Sequence, residues 1–142
     1  MSKIAITTTT FGKYNKSPLN LLKQAKLKIV LNPYGRKLRK DEIIEICKDA
    51  IGIISGTELL DADVISKLDD LRVISRCGSG LGNIDLEATK RSGIKVFNTP
   101  EAPTLAVSEL TVALILNLLR KISFMHISIK NNKWEKFVIY LS

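Results

Sequence analysis

The sequence predicts a doubly wound α/β domain: a parallel five-stranded sheet followed by a long C-terminal helix. Three observations carry that expectation. Five short apolar runs recur between Ile4 and Phe97, separated by amphipathic stretches that read as helices. The connections are short, as in successive βα units whose parallel strands are covered by helices on both faces. A glycine turn, Gly78-Ser79-Gly80-Leu81-Gly82, stands directly behind the fourth run. Backbone leaving a strand through glycines turns sharply and exposes its N–H groups to an anion.

The elements follow in order. Ile4-Ala5-Ile6 reads as the first strand. Pro18-Leu19 opens a short helix through Leu22 and Ala25, with proline suited to its first turn. Leu27 to Leu31 is the second strand, stopped by Asn32-Pro33-Tyr34-Gly35. A helix from about Asp41 to Lys48 sets Ile43, Ile44 and Cys47 on one face. Ile51-Gly52-Ile53-Ile54 is the third strand, and Asp61 caps a helix holding Val64, Ile65 and Leu68. Leu71 to Ser75 is the fourth strand. Asp85 caps a helix that ends at Gly93, the left-handed position after a helix C-terminus. Ile94 to Phe97 is the fifth strand. Right-handed crossovers make a flavodoxin-like order the natural topology. In such sheets ligands sit beyond the carboxyl ends of strands. The turns Ser55-Gly56-Thr57, Gly78 to Gly82 and Asn98-Thr99-Pro100 should therefore converge on one edge.

After Pro103 the pattern changes. Thr104 is expected to cap one long helix from Leu105 to about Asn131, apolar almost all round in its first half. A helix without a polar face expects protein on every side. The tail from Asn131 to Ser142 carries Trp134, Phe137 and Tyr140 with no readable period.

Composition narrows the function classes. The net charge is +8, yet residues 1–50 hold +7 of it, residues 51–100 hold −1 and residues 101–142 hold +2. The excess thus lies away from the glycine turn, densest at Arg36, Lys37, Arg39 and Lys40. That cluster reads as a solvated loop and helix start. With only Tyr34 beside it, it does not resemble a nucleic-acid surface, so no nucleic-acid partner is expected. No secretory leader is expected at Met1-Ser2-Lys3, and no membrane span, since the greasiest stretch carries Glu109 and Asn117. Cys47 and Cys77 show neither metal nor disulfide spacing, which suits the cytoplasm. Of the remaining reactive types, His126 is expected to face solvent. Cys77 is expected to be a buried structural thiol rather than a nucleophile, and Glu109 an anchor at the helix start.

Several motifs in order resemble the D-isomer-specific 2-hydroxyacid dehydrogenases, most closely their 3-phosphoglycerate dehydrogenase branch. They are Gly52-Ile53-Ile54-Ser55-Gly56-Thr57-Glu58; Val73 to Gly80 with Asn83-Ile84-Asp85-Leu86; Gly93 to Pro100; Ala106 to Thr111; and Lys133-Trp134. Gly82 stands where the family pattern Gly-x-Gly-x-Asp-Asn-x-Asp has aspartate. The resemblance implies residues 1–100 as a substrate-binding lobe and 101–142 as an interdomain helix and tail, with the nucleotide-binding lobe and the family's catalytic Arg, Glu and His outside this sequence. It implies that backbone at Gly78, Ser79 and Gly80 holds the carboxylate of a small 2-hydroxy or 2-keto acid. Ser79 and Val107 would approach NAD. The expected activity is oxidation of a D-2-hydroxy acid such as 3-phosphoglycerate with NAD as acceptor, with no tight NAD binding and no turnover by this chain alone. The apolar segment 105–131 would meet a nucleotide-binding lobe or a second copy. The other reading is a non-catalytic interaction module dimerising through that segment.

Overall fold

The computed structural model describes residues 1–134, in two compact units that divide after Pro100. The expected residues Phe137 and Tyr140 lie outside the described residues.

The first unit bears out the predicted class. Its strands are β1 (Lys3–Ile6), β2 (Lys28–Leu31), β3 (Ala50–Ser55), β4 (Val73–Arg76) and β5 (Lys95–Asn98). All pair in parallel, in the order β2-β1-β3-β4-β5. The order reverses between β1 and β3, so the crevice outside that junction is the topological switch point of the sheet. Helices α1 (Ser17–Gln24), α2 (Lys40–Cys47), α3 (Ala62–Ile65) and α4 (Leu86–Arg91) link the strands.

Register explains the core. Ala5, Ile53, Ile74 and Val96 form one row across β1, β3, β4 and β5, and side-by-side residues of parallel strands share a face. Ile43 and Cys47 of α2, Val64 and Ile65 of α3 and Ala88 of α4 close over this row. The alternate row, Ile4, Gly52 and Val73, lies on the other face beside Leu22 of α1. That face is covered less completely, and Phe97, in register with Ser75 and Ile54, is exposed.

Asp61 and Asp85 cap α3 and α4 as expected, accepting from the N–H groups of Val64 and Ala88. Gly93 adopts φ +67 beyond α4. The third helix is shorter than the sequence predicts. After Ile65 the chain tightens into i→i−3 bonds, from Lys67 N to Val64 O and from Leu68 N to Ile65 O, so Leu68 is buried from a turn.

The basic cluster is not simply solvated. Arg36 and Arg39 both reach Glu42, at 2.6 and 3.1 Å, Arg39 also meets Asp41, and Lys40 pairs with Asp61. Glu42 is buried and also accepts the Arg39 backbone N–H at 2.8 Å. The Arg36 hydrogen bonds, then that backbone bond, hold its carboxyl at about 2 against an ordinary 4.5. A carboxyl depressed by folding stabilises the fold fully above its ordinary range and loses that contribution as pH falls toward its folded value. Glu42→Gln is therefore expected to lower the melting midpoint at pH 7. The gap to the parent should narrow between pH 4.5 and about 2 in a pH series of melts.

The second unit departs from the sequence reading. The single long helix is two: α5 (Thr104–Leu119) and α6 (Ile122–Lys130), bent by 62°. Lys121 sits at φ +50, left-handed, which ends α5. The Asn117 side chain then accepts from the Ser123 N–H at 2.9 Å and its hydroxyl at 3.0 Å, restarting the backbone as α6. Thr104 is the first helical residue rather than the cap, which is Pro103. No single helix among the described residues is long and apolar enough to cross a membrane, although the bent pair passes together by length and composition.

Candidate functional site

The site lies at the carboxyl edge of the sheet in the first unit. Every loop there is tied to its neighbour. Cys77 N donates to Ser55 O at 2.8 Å, fixing the β4 loop on the β3 loop. Asn83 Nδ2 donates to Glu58 O at 2.7 Å and Gly56 O at 3.2 Å, while its own carbonyl accepts from Leu60 N. The sequence Asn83-Ile84-Asp85 thus has a local reason. Asn83 clamps two loops, Ile84 fills the core and Asp85 caps α4. On the other side Thr99 Oγ1 accepts from Gly78 N at 2.8 Å, and Thr99 N donates to Gly78 O at 3.0 Å. Asn98 Nδ2 donates to Ser79 O at 2.7 Å. The three turns singled out in the sequence are brought together.

These bonds are lopsided in a useful way. The carbonyls of Gly78 and Ser79 are both occupied, and so is the Gly78 N–H. The N–H groups of Ser79 and Gly80 have no acceptor among the described residues. Both residues are exposed. A loop with its acceptors occupied and two donors open is disposed toward an anion. Gly78 is required by conformation, with φ +140, and a Cβ there would also displace the Arg76 guanidinium. Gly80 and Gly82 have open space around them.

Ser55, whose carbonyl holds Cys77 N, is fully buried, and its hydroxyl has no partner among the described residues. Cys77 corrects the sequence reading. It is exposed, not buried, and lies between the end of β4 and Gly78, which adopts φ +140. Partial burial still raises its thiol above the usual range against the pull of Arg76, which disfavours a thiolate nucleophile. Cys47, buried in α2, is pushed up to about 12 by burial. One equivalent of maleimide is expected to label native protein at Cys77. The second should react only in denaturant, as mass spectrometry of each sample would read.

Val107, the other cofactor candidate, lies in α5 of the second unit and is exposed. His126 in α6 is exposed, as expected. Glu109 is exposed and lies beyond the first turn of α5, out of reach of the dipole at the helix start where it was expected to act. No group of three or more potential metal ligands occurs among the described residues.

The sequence reading missed a second polar pocket, at the β1–β3 switch point. Thr7, Thr8, Thr9, Lys37, Thr57 and Glu58 line a cavity of about 100 Å³. Four consecutive threonines after an apolar run, Thr7 to Thr10, were the available signal.

Comparison with known proteins places this architecture. The family model described as D-isomer specific 2-hydroxyacid dehydrogenase, catalytic domain, matches residues 5–136. Human D-3-phosphoglycerate dehydrogenase is 42% identical over 103 residues, covering 71% of this chain and 19% of that protein. Hydroxypyruvate reductase of Thermotoga maritima is 39% identical over 100 residues, covering 70% of this chain and 33% of that protein. The chain therefore spans about a fifth to a third of the length of these curated relatives. Among solved structures, TT0316 protein from Thermus thermophilus superposes with a TM-score of 0.84 at 29% identity, over 94% of this chain and 42% of that one. NAD+-bound 3-phosphoglycerate dehydrogenase of Entamoeba histolytica gives 0.74 at 28% identity, over 84% and 40%. With the family model spanning nearly its whole length and the parallel sheet in place, this chain belongs to the D-isomer-specific 2-hydroxyacid dehydrogenase family.

Proposed function

We propose that this chain is the acid-gripping lobe of an NAD-dependent dehydrogenase acting on the CH–OH group of a D-2-hydroxy acid. The observation that carries this reading is the pair of open N–H donors at Ser79 and Gly80, on a loop whose carbonyls are already bonded. A substrate carboxylate would accept from both. Gly78 shapes that loop, its own N–H being held by Thr99. The relatives that act on 3-phosphoglycerate or hydroxypyruvate support a small 2-hydroxy or 2-keto acid as ligand.

The first unit does not fit a dinucleotide. A pyrophosphate needs an open helix N-terminus directly behind the glycine turn. Here α4 begins only at Leu86, and the Asp85 carboxylate already caps its N-terminus by accepting from the Ala88 N–H. The hydride step is therefore assigned to no residue of this chain. Ser79 and Val107 are at most edge contacts to NAD held by a nucleotide-binding lobe, which would supply the redox chemistry. With NADH and 3-phosphohydroxypyruvate the chain alone is expected to give no turnover, while glycolate raises its melting midpoint. Sustained NADH oxidation by clean protein, or no response to glycolate, contradicts the proposal.

One observation favours an added role in association. Leu105, Leu110, Leu114, Leu118 and Leu119 of α5 are each more than half exposed. An all-round apolar helix is expected to be covered, by a nucleotide-binding lobe or by a second copy. Sedimentation equilibrium separates the two. A dimer supports self-association, and a well-behaved monomer favours a separate lobe.

A further inference from the structure

The switch-point pocket has features that the carboxylate loop does not explain. Glu58 is 2% exposed. Its Oε1 accepts from Gly56 N at 2.9 Å and from the Thr7 hydroxyl, while Oε2 receives no hydrogen bond among the described residues. Oε2 lies on the Thr8 side of Gly56, where a Cβ would meet Thr8 Oγ1 at 3.0 Å and Oε2 at 3.2 Å. Oε2 is not among the buried unpartnered atoms, so it is open to the pocket, where a donor can reach it. Opposite charge is also at hand. Arg36, Arg39 and Lys40 are all paired to carboxylates, but Lys37 makes no ion pair among the described residues. Asn32 sets that turn beside β1, donating to Thr7 O at 2.7 Å and to Arg36 O at 2.8 Å. The Thr9 and Thr57 hydroxyls likewise have no hydrogen bond among the described residues.

The lining thus offers an acceptor, a cationic donor and hydroxyls that serve as either. A phosphate would meet Lys37 but set its oxygens against the Glu58 carboxyl, acceptor against acceptor. A hydroxyl group satisfies both, donating to Glu58 and accepting from Lys37. The cavity of about 100 Å³ has room for roughly three water-sized groups. Position fixes the reach. The pocket lies between β1 and β3 and the glycine loop follows β4, next in the sheet. Strands about 4.8 Å apart set a lateral offset of roughly 7 Å between the two along the same edge. Counted from carboxylate oxygen to terminal hydroxyl oxygen, a four-carbon acid has five bonds of roughly 1.5 Å and reaches about that far when extended.

We propose that the pocket at the β1–β3 switch holds the distal hydroxyls of a polyhydroxylated 2-hydroxy acid whose carboxylate sits on Ser79 and Gly80. This rests on the reading of the glycine loop given above and adds the substrate class: a non-phosphorylated sugar acid rather than a phosphorylated one.

The test is amide-shift titration of the ¹⁵N-labelled chain with glycolate, D-erythronate and 3-phosphoglycerate. Erythronate is expected to move Thr8, Thr9 and Thr57 as well as Ser79 and Gly80, and to bind about tenfold more tightly than glycolate, as two added hydrogen bonds would give. The exposed substitutions Lys37→Met and Thr57→Val should each cut that ratio about threefold or more. Melting curves of both variants would establish that they fold. Tighter binding of 3-phosphoglycerate than of erythronate overturns the inference. So does glycolate moving Ser79 and Gly80 while erythronate leaves the threonines still. Failure of glycolate itself to move Ser79 and Gly80 overturns the loop reading instead.

Discussion

Ile74→Ala is expected to destabilise the first unit by about 4 kcal/mol, near the upper end for truncating a buried isoleucine. Ile74 is fully buried at the centre of β4, flanked in register by Ile53 and Val96 and closed over by α2, α3 and α4. Three carbons leave a site held by paired strands on both sides, which cannot collapse to fill the void. Against a total of roughly 5–15 kcal/mol this is a large fraction. For a unit of 100 residues it lowers the melting midpoint by roughly 15 °C or more. Ile74→Val, keeping most of the contacts, should cost only about 1 kcal/mol. Urea denaturation of the three proteins measures both. An alanine variant within about 1 kcal/mol of the parent would mean that β4 is not the packed centre of the sheet.

Gly80→Ala is expected to do the opposite, sparing the fold and losing the ligand. A Cβ at Gly80 meets nothing within 4 Å, and the residue is not among those with positive φ. The melting midpoint should therefore stay within about 2 °C of the parent or rise slightly, since alanine restricts the unfolded chain. The added methyl stands on the open side of a loop whose N–H groups at Ser79 and Gly80 await an anion. A carboxylate must approach that backbone to hydrogen-bond distance, and each charge-assisted bond lost is worth about 1.5–3 kcal/mol. Glycolate affinity should fall about tenfold or more, by calorimetry or by loss of the thermal shift. Unchanged affinity would place the acid elsewhere.

The strands were legible because a two-sided parallel sheet leaves its mark as short apolar runs, and Val73-Ile74, Ile53-Ile54 and Ile4-Ala5-Ile6 are such runs. Asp61, Asp85 and Gly93 were legible because capping is local chemistry. The convergence of the three carboxyl-edge turns followed from topology. The break at Lys121 was hidden. Neither glycine nor proline marks it, and the side chain that restarts the backbone as α6, Asn117, bonds across the break to Ser123, six residues on. Cys77 looked buried because it follows an apolar strand, but β4 ends at Arg76 and the next residue is already in the exposed loop. The switch-point pocket was illegible for a different reason. Lys37 looks like any member of a basic run, and only tertiary pairing shows that Arg36, Arg39 and Lys40 are neutralised while it is not. Glu58 likewise reads as a loop acid until burial at 2% exposure is seen.

The most direct measurement is a crystal structure of this chain grown with glycolate. The account predicts one carboxylate held by the backbone, its oxygens within about 3.2 Å of Ser79 N and Gly80 N, with the Thr99 and Asn98 bonds to the loop intact. An acid bound anywhere else, or a loop whose Ser79 and Gly80 N–H groups have closed on acceptors of the chain itself, would contradict it.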